Sequence, residues 1–84
     1  MIVVKNRQAL DRAVTMLEQA AASATPAQIM AAAYNIEQHM ASGTYSLLKQ
    51  TELGVKRNAE GKQYVDCTVT PEAVAAYVAA LKAI

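Results

Sequence analysis

The chain of 84 residues is nearly balanced in charge, with eight Lys and Arg against seven Asp and Glu. This length fits one domain, predicted to span residues 1–84, that buries roughly 60–65% of its unfolded surface. The balance excludes an overall positive field that would hold the protein on nucleic acid or on an anionic membrane, so any such binding must be local. The apolar share is 54%, but Phe and Trp are absent, which favours close packing of alanine-rich helices.

The sequence lacks the apolar stretches that export and membrane insertion need. Residues 1–5 are too short for the apolar region of a signal peptide, and no apolar run approaches the roughly 18 residues of a membrane span. The lone Cys67 cannot form an internal disulfide, which suits a reducing compartment. A cytoplasmic protein without a membrane partner is therefore expected.

A short strand and a first helix are predicted at the N-terminus. Residues 2–4 form a β-branched apolar run that favours a strand. Asn6 is a predicted N-cap, and the helix that it begins is expected to run to about Ser23. Its predicted buried stripe is Leu10, Val14, Leu17 and Ala21.

Two further helices are predicted before the chain changes its pattern. Thr25 followed by Pro26 indicates a helix start, and this second helix is expected to end near Met40, before residues 41–43. Thr44 is placed to cap a third helix over residues 44–53, which Gly54 would stop. The predicted buried residues are Ile29, Ala33, Ile36 and Met40, widened by Met30 and Tyr34, on the second helix, and Leu47 and Leu48, with Tyr45 as a further candidate, on the third.

From Val55 the apolar period changes to two, which predicts a β-hairpin over residues 55–69 with its turn at residues 58–61. Thr70 followed by Pro71 indicates a closing helix, with Val74, Tyr77, Val78, Leu81 and Ile84 facing inward. The predicted fold is α+β and mostly helical, in the order strand, three helices, hairpin and helix.

No catalytic or metal-binding residues are predicted. His39 is the only histidine and is interpreted as a helix-surface residue, because Glu37 and Asp66 are scattered single carboxylates. Cys67 alternates with Val65 and Val69 on a predicted strand, the placement of a core thiol and not of a nucleophile. The glycines are isolated and form no phosphate-binding loop. A non-enzymatic binding protein without a cofactor is expected.

Residues 44–53, 54–65 and 68–72 resemble the recognition helix, the wing and the following helix of winged helix-turn-helix DNA-binding regulators. The resemblance covers residues 44–74 and extends loosely back to residues 25–29. It implies a transcription regulator whose partner is double-stranded DNA, with a helix in the major groove and a basic hairpin on the flanking phosphates.

The resemblance also implies a set of DNA-contacting residues. The predicted groove-facing residues are Thr44, Tyr45, Ser46, Lys49 and Gln50, and the predicted phosphate contacts are Lys56, Arg57 and Lys62. Residues 49–62 hold four of the eight basic residues and two glutamates, a net charge of 4 − 2 = +2. Residues 13–48 contain neither Lys nor Arg, so affinity is expected to be weak for a monomer.

Two other interpretations fit the same residues. The hairpin cations would also serve merely to keep an exposed sheet edge soluble. Alternatively, the chain is a small accessory module, of the inhibitor or adaptor type, whose Ala/Met face on the first two helices binds a protein partner or a second copy of the chain. That face contains Met16, Met30, Tyr34 and Met40, which would otherwise fill the domain's own core.

Overall fold

Helices dominate the part of the chain that this computed structural model describes, residues 1–65 and 69–84, with only the backbone described at Val65. The elements follow the order β1 (Val3–Val4), α1 (Arg7–Ala20), α2 (Pro26–His39), β2 (Ala41–Ser42), α3 (Tyr45–Thr51), β3 (Val55–Arg57), β4 (Gln63–Val65) and α4 (Pro71–Lys82). The predicted α+β class, mostly helical, is confirmed.

Three helices begin at the predicted cap residues. The side chain of Asn6 accepts a hydrogen bond from the backbone N–H of Ala9, and Thr70 accepts one from Ala73. Thr25 and Gln28 form a reciprocal capping box at the start of α2. These bonds satisfy backbone donors that the first helical turn leaves without partners.

Two helices end earlier than predicted. α1 stops at Ala20, not Ser23, and the chain continues in a turn in which the N–H of Ser23 bonds to the carbonyl three residues before it, at Ala20. α3 stops at Thr51, since Glu52 takes a left-handed conformation with φ of 56° and thereby turns Leu53 into the core. The predicted end near residue 53 is therefore two residues too late; Gly54 has the predicted left-handed conformation, with φ of 71°, but Glu52 takes one before it.

The N-terminal strand pairs with a strand that the sequence analysis did not predict. β1 runs antiparallel to β2, with Val3 opposite Ser42 and Val4 opposite Ala41. The N–H groups of Lys5 and Asn6 both donate to the carbonyl of Met40, at 2.7 and 3.1 Å. The chain between α2 and α3 is thus a sheet partner and not only a break between helices.

The core lies where the helices meet, with α1 packed on α2 and α4, and α3 packed on α4. The predicted inward residues of all four helices are buried or half-buried, with two exceptions. Tyr34 and Tyr45 are 47% and 42% exposed, so their inward assignments on α2 and α3 are wrong. None of the described helices combines the length and the apolar character that crossing a membrane requires.

The hairpin is confirmed, although its described second strand is shorter than predicted. Lys56 pairs with Tyr64, and Arg57 pairs with Gln63. Lys62 belongs to the turn, in which the side chain of Asn58 accepts hydrogen bonds from the N–H groups of Glu60 and Lys62. Cys67, with its predicted core placement, lies outside the described residues, as do Asp66 and Thr68.

Candidate nucleic-acid interface

The exposed face of α3 carries four of the five residues predicted to enter the groove. Tyr45, Ser46, Lys49 and Gln50 are all exposed, and their spacing of one and four residues places them on one side of the helix. Leu47 and Leu48 hold the opposite side in the core. The helical spacing of polar and apolar residues therefore determines which face of α3 is exposed to solvent.

Thr44 does not belong to that face. Its side chain is 1% exposed, and its hydroxyl donates to a carboxylate oxygen of Glu37 at 2.6 Å. Thr44 occupies the N-cap position of α3 but makes no side-chain capping bond. The predictions that Thr44 caps the helix and faces DNA are both wrong, because the neighbouring helix α2 supplies the acceptor instead.

Glu37 provides that acceptor and fixes the start of α3. One of its oxygens accepts from the N–H of Gly43 at 3.0 Å, and the other accepts from the Thr44 hydroxyl and from the N–H of Tyr45, the latter at 3.0 Å. Burial raises the pKa of Glu37, but these hydrogen bonds outweigh burial and hold the pKa below its ordinary value. A carboxylate from α2 thus performs the capping that sequence analysis had assigned to Thr44.

The hairpin presents two different faces. Directly opposed residues of an antiparallel pair point to the same side, and neighbours along a strand point to opposite sides. Arg57 and Gln63 therefore share one face, and Lys56 and Tyr64 share the other. Lys56 and Arg57, which were predicted to contact phosphates together, therefore lie on opposite faces of the hairpin.

One face of the hairpin lies against the C-terminal end of α3. The side-chain amide of Gln63 donates to the carbonyl of Lys49 at 3.3 Å. Arg57 forms an ion pair with Glu52 at 3.9 Å, and both side chains are more than half exposed. The exposed face of α3 and the Arg57 face of the hairpin therefore form one continuous surface.

Lys56 lies on the other side, towards the start of α4. It is half-buried and lines a cavity of about 240 Å³ together with Glu52, Thr70 and Glu72. Glu52 is also the ion-pair partner of Arg57, so the carboxylate that distinguishes the surroundings of Lys56 is Glu72, which makes this side the more acidic of the two. Of the three predicted hairpin cations, Arg57 therefore lies on the face beside α3, Lys56 lies on the other face, and Lys62 is exposed in the turn.

We define the α3–hairpin surface as the exposed residues of α3 and the Arg57 face of the hairpin, together with Lys62, which adjoins Gln63 in the exposed turn: Tyr45, Ser46, Lys49, Gln50, Arg57, Lys62 and Gln63. Gln63 was not predicted, because its pairing with Arg57 depends on the register of the hairpin, which the spacing of residues alone does not give. The cations of this surface are Lys49, Arg57 and Lys62, with Glu52 beside Arg57 and Glu60 in the same turn as Lys62, so the surface keeps a small positive charge that can attract an anionic partner. Its amide and hydroxyl groups can exchange hydrogen bonds with base edges.

Other groups that the sequence singled out are not members of this surface, although Tyr34 contacts it. His39 is exposed in the last turn of α2, as predicted. The rings of Tyr34 and Tyr45 meet edge to face with centroids 5.7 Å apart, which accounts for the outward position of Tyr34. Among the residues that the structure describes, no three His, Cys, Asp or Glu side chains come together as a metal-binding group.

Comparison of this chain with protein families, with characterised proteins and with solved structures finds no match.

Proposed function

We propose that this protein binds double-stranded DNA through the α3–hairpin surface and acts as a winged-helix-like transcription regulator. The observation that carries the proposal is the hydrogen bond between Gln63 and the carbonyl of Lys49, which holds the hairpin beside the exposed face of α3. A helix and a hairpin in this relation offer groove-facing polar groups next to phosphate-binding cations.

The charges of this surface support the proposal and limit the affinity. Lys49, Arg57 and Lys62 offer three phosphate contacts, which correspond to a slope of log affinity against log salt of about −2.7. Because the pair between Arg57 and Glu52 is exposed, it contributes little, and the guanidinium can exchange the carboxylate for phosphate.

The length of α3 supports contact with only a few base pairs. Its seven residues span roughly 10 Å, about the rise of three base pairs. One copy of the chain therefore binds weakly, and two copies on adjacent half-sites double the contacts.

A titration of fluorescent duplex DNA at two salt concentrations tests this function. We expect binding at low salt that weakens steeply as salt rises, and a slope that becomes less negative by about 0.9 in each of Lys49→Ala and Arg57→Ala. Lys56→Ala is the matched control, because Lys56 belongs to the same hairpin but to its other face. No binding at low salt would overturn the proposal, and equal losses in Lys56→Ala and Arg57→Ala would contradict the assigned surface.

A second function is favoured by a different region of the molecule. Met16 is 67% exposed at the rim of an apolar groove of about 620 Å³ between α1 and α2. Large exposed apolar side chains beside a groove are typical of protein-binding surfaces. We therefore keep an accessory protein-interaction module as the second candidate.

A further inference from the structure

Two apolar grooves flank α1, and they differ in how their sides are connected. The groove between α1 and α4, about 560 Å³, has an ion pair between Glu18 of α1 and Lys82 of α4 among its lining residues. Among the residues that the structure describes, no ion pair joins α1 to α2 across the other groove. We call the groove between α1 and α2 the α1–α2 groove. No described ion pair crosses it.

The sides of the α1–α2 groove are lined by small residues, and its base is apolar. Leu17 and Ile29 are buried at its base, and Met16 and Met40 are unbranched side chains that can adapt to an occupant. Because the residues along the sides are small, the groove has room for large side chains contributed by a partner. The alanines that line these sides are Ala9, Ala13, Ala20, Ala24 and Ala32.

The described side chains that line the groove carry positive charge and no negative charge. Arg12 is the one charged side chain among its described lining residues, and no carboxylate lines it. Arg12 has no ion-pair partner among the described residues, in contrast to Arg7, which pairs with Asp11 on the same helix. A partner that places a carboxylate beside Arg12 would gain an ion pair without breaking one that the described residues make.

The walls also restrict the backbone of an occupant. Both walls are helices, whose backbone groups are hydrogen-bonded within the helix, so they offer no strand edge to an extended peptide. A helix satisfies its own backbone and buries only side chains. The wall from Ala9 to Ala20 is roughly 17 Å long, enough for about three turns.

We propose that the α1–α2 groove binds one amphipathic helix of a partner protein, with large apolar side chains on one face and a carboxylate flanking that face to pair with Arg12. This inference rests on the interaction-module candidate and names the chemistry of its partner. It is independent of DNA binding, because the groove and the α3–hairpin surface have no residue in common.

Two fluorescein-labelled helical peptides of about three turns test the inference. Both carry leucines at helical spacing on one face, and glutamates flank that face in one peptide and lysines in the other. Measured by anisotropy against the full chain, the glutamate peptide should bind about tenfold more tightly, because the swap replaces an attraction to Arg12 by a repulsion. In Arg12→Glu the preference should reverse.

Two further variants test the position of the site. Ala32→Phe fills the α1–α2 groove and should abolish binding of the glutamate peptide, and Ala79→Phe, in the other groove, is the matched control. If Ala32→Phe fails to fold, the exposed Arg12→Glu substitution still decides the outcome. Circular dichroism of each variant checks the fold.

The possible results distinguish failure of the acidic-helix inference from failure of the interaction-module function on which it rests. Equal binding of both peptides, unaffected by Arg12→Glu, would overturn the acidic partner while leaving an apolar interaction surface. Binding of neither peptide would overturn the inference, and a dimer in sedimentation that Ala32→Phe converts to a monomer would assign the groove to a second copy. DNA titration with Arg12→Glu should be unchanged in each case.

Discussion

Glu37 connects three parts of the chain through one side chain. It lies on α2, accepts from the N–H groups of Gly43 and Tyr45, and holds the hydroxyl of the buried Thr44. Hydrogen bonds to a charged acceptor contribute more than neutral ones, and this carboxylate lies at the positive end of α3. The orientation of the exposed face of α3 therefore depends on a residue outside that face.

Replacing Glu37 by Gln should destabilise the protein by about 1–2 kcal/mol at neutral pH, because the amide presents donors where acceptors are needed. The folded-state pKa of Glu37 is below its ordinary value of 4.5, so the carboxylate stabilises the fold above that pH and loses this contribution as pH falls through the folded pKa. Urea unfolding across this range should show the difference between the parent chain and Glu37→Gln vanishing in acid. Glu60→Gln, in the exposed hairpin turn, is the control; a difference that persists in acid would contradict this account.

At the scale of elements, two left-handed glycines support two different turns. Gly43 has a φ of 90°, and a Cβ there would lie 2.5 Å from the carbonyl oxygen of Met1. Gly61 has a φ of 82° in the hairpin turn, with no atom within 4 Å of a Cβ. Both positions need the same conformational freedom, but only Gly43 also permits β1 to approach β2 closely.

Alanine at the two positions separates these requirements. Gly61→Ala should cost about 1–2 kcal/mol of unfolding free energy, the penalty of a left-handed backbone. Gly43→Ala should cost about 1–3 kcal/mol more, because the added methyl group also collides with the backbone of β1. Thermal and urea unfolding of both variants measure the difference, and equal costs would show that the contact with Met1 is unimportant.

Local chemistry explains why some elements were predictable and others were not. The caps Asn6, Thr25 and Thr70 act within four residues of their partners, so the sequence identified three helix starts. The partner of Thr44 lies seven residues away on another helix, and a two-residue strand has no period of its own. Contacts of this kind depend on tertiary packing and cannot be derived from spacing.

The residues of the candidate site also divide into those that spacing predicts and those that depend on tertiary structure. The exposed face of α3 was predictable because Leu47 and Leu48 define its opposite side. The separation of Lys56 from Arg57 follows from the alternation of a strand, whereas Gln63 could be assigned only after the register of the hairpin was known. The sequence thus identified the segment, and tertiary structure selected the members of the surface.

At the scale of the whole molecule, α4 links the two halves of the core. It packs against α1 on one side and α3 on the other, and its Tyr77 is completely buried. The Tyr77 hydroxyl has no hydrogen-bond partner of suitable geometry among the described residues, although Thr44 and Glu37 are close enough to influence it. Burial and then the charge of Glu37 raise the pKa of Tyr77 to about 12, so the hydroxyl is neutral at physiological pH.

Removing only this hydroxyl should stabilise the whole molecule. Tyr77→Phe keeps the ring in the core and eliminates a buried polar group without a partner, so the free energy of unfolding should rise by about 1 kcal/mol. Urea unfolding with an unchanged m-value measures the effect, and Tyr45→Phe, which removes a hydroxyl from an exposed tyrosine, should leave stability nearly unchanged. A loss of stability in Tyr77→Phe would instead show that the hydroxyl makes a favourable bond to Thr44 or through a buried water, and the polar cluster around Glu37 would then extend into α4.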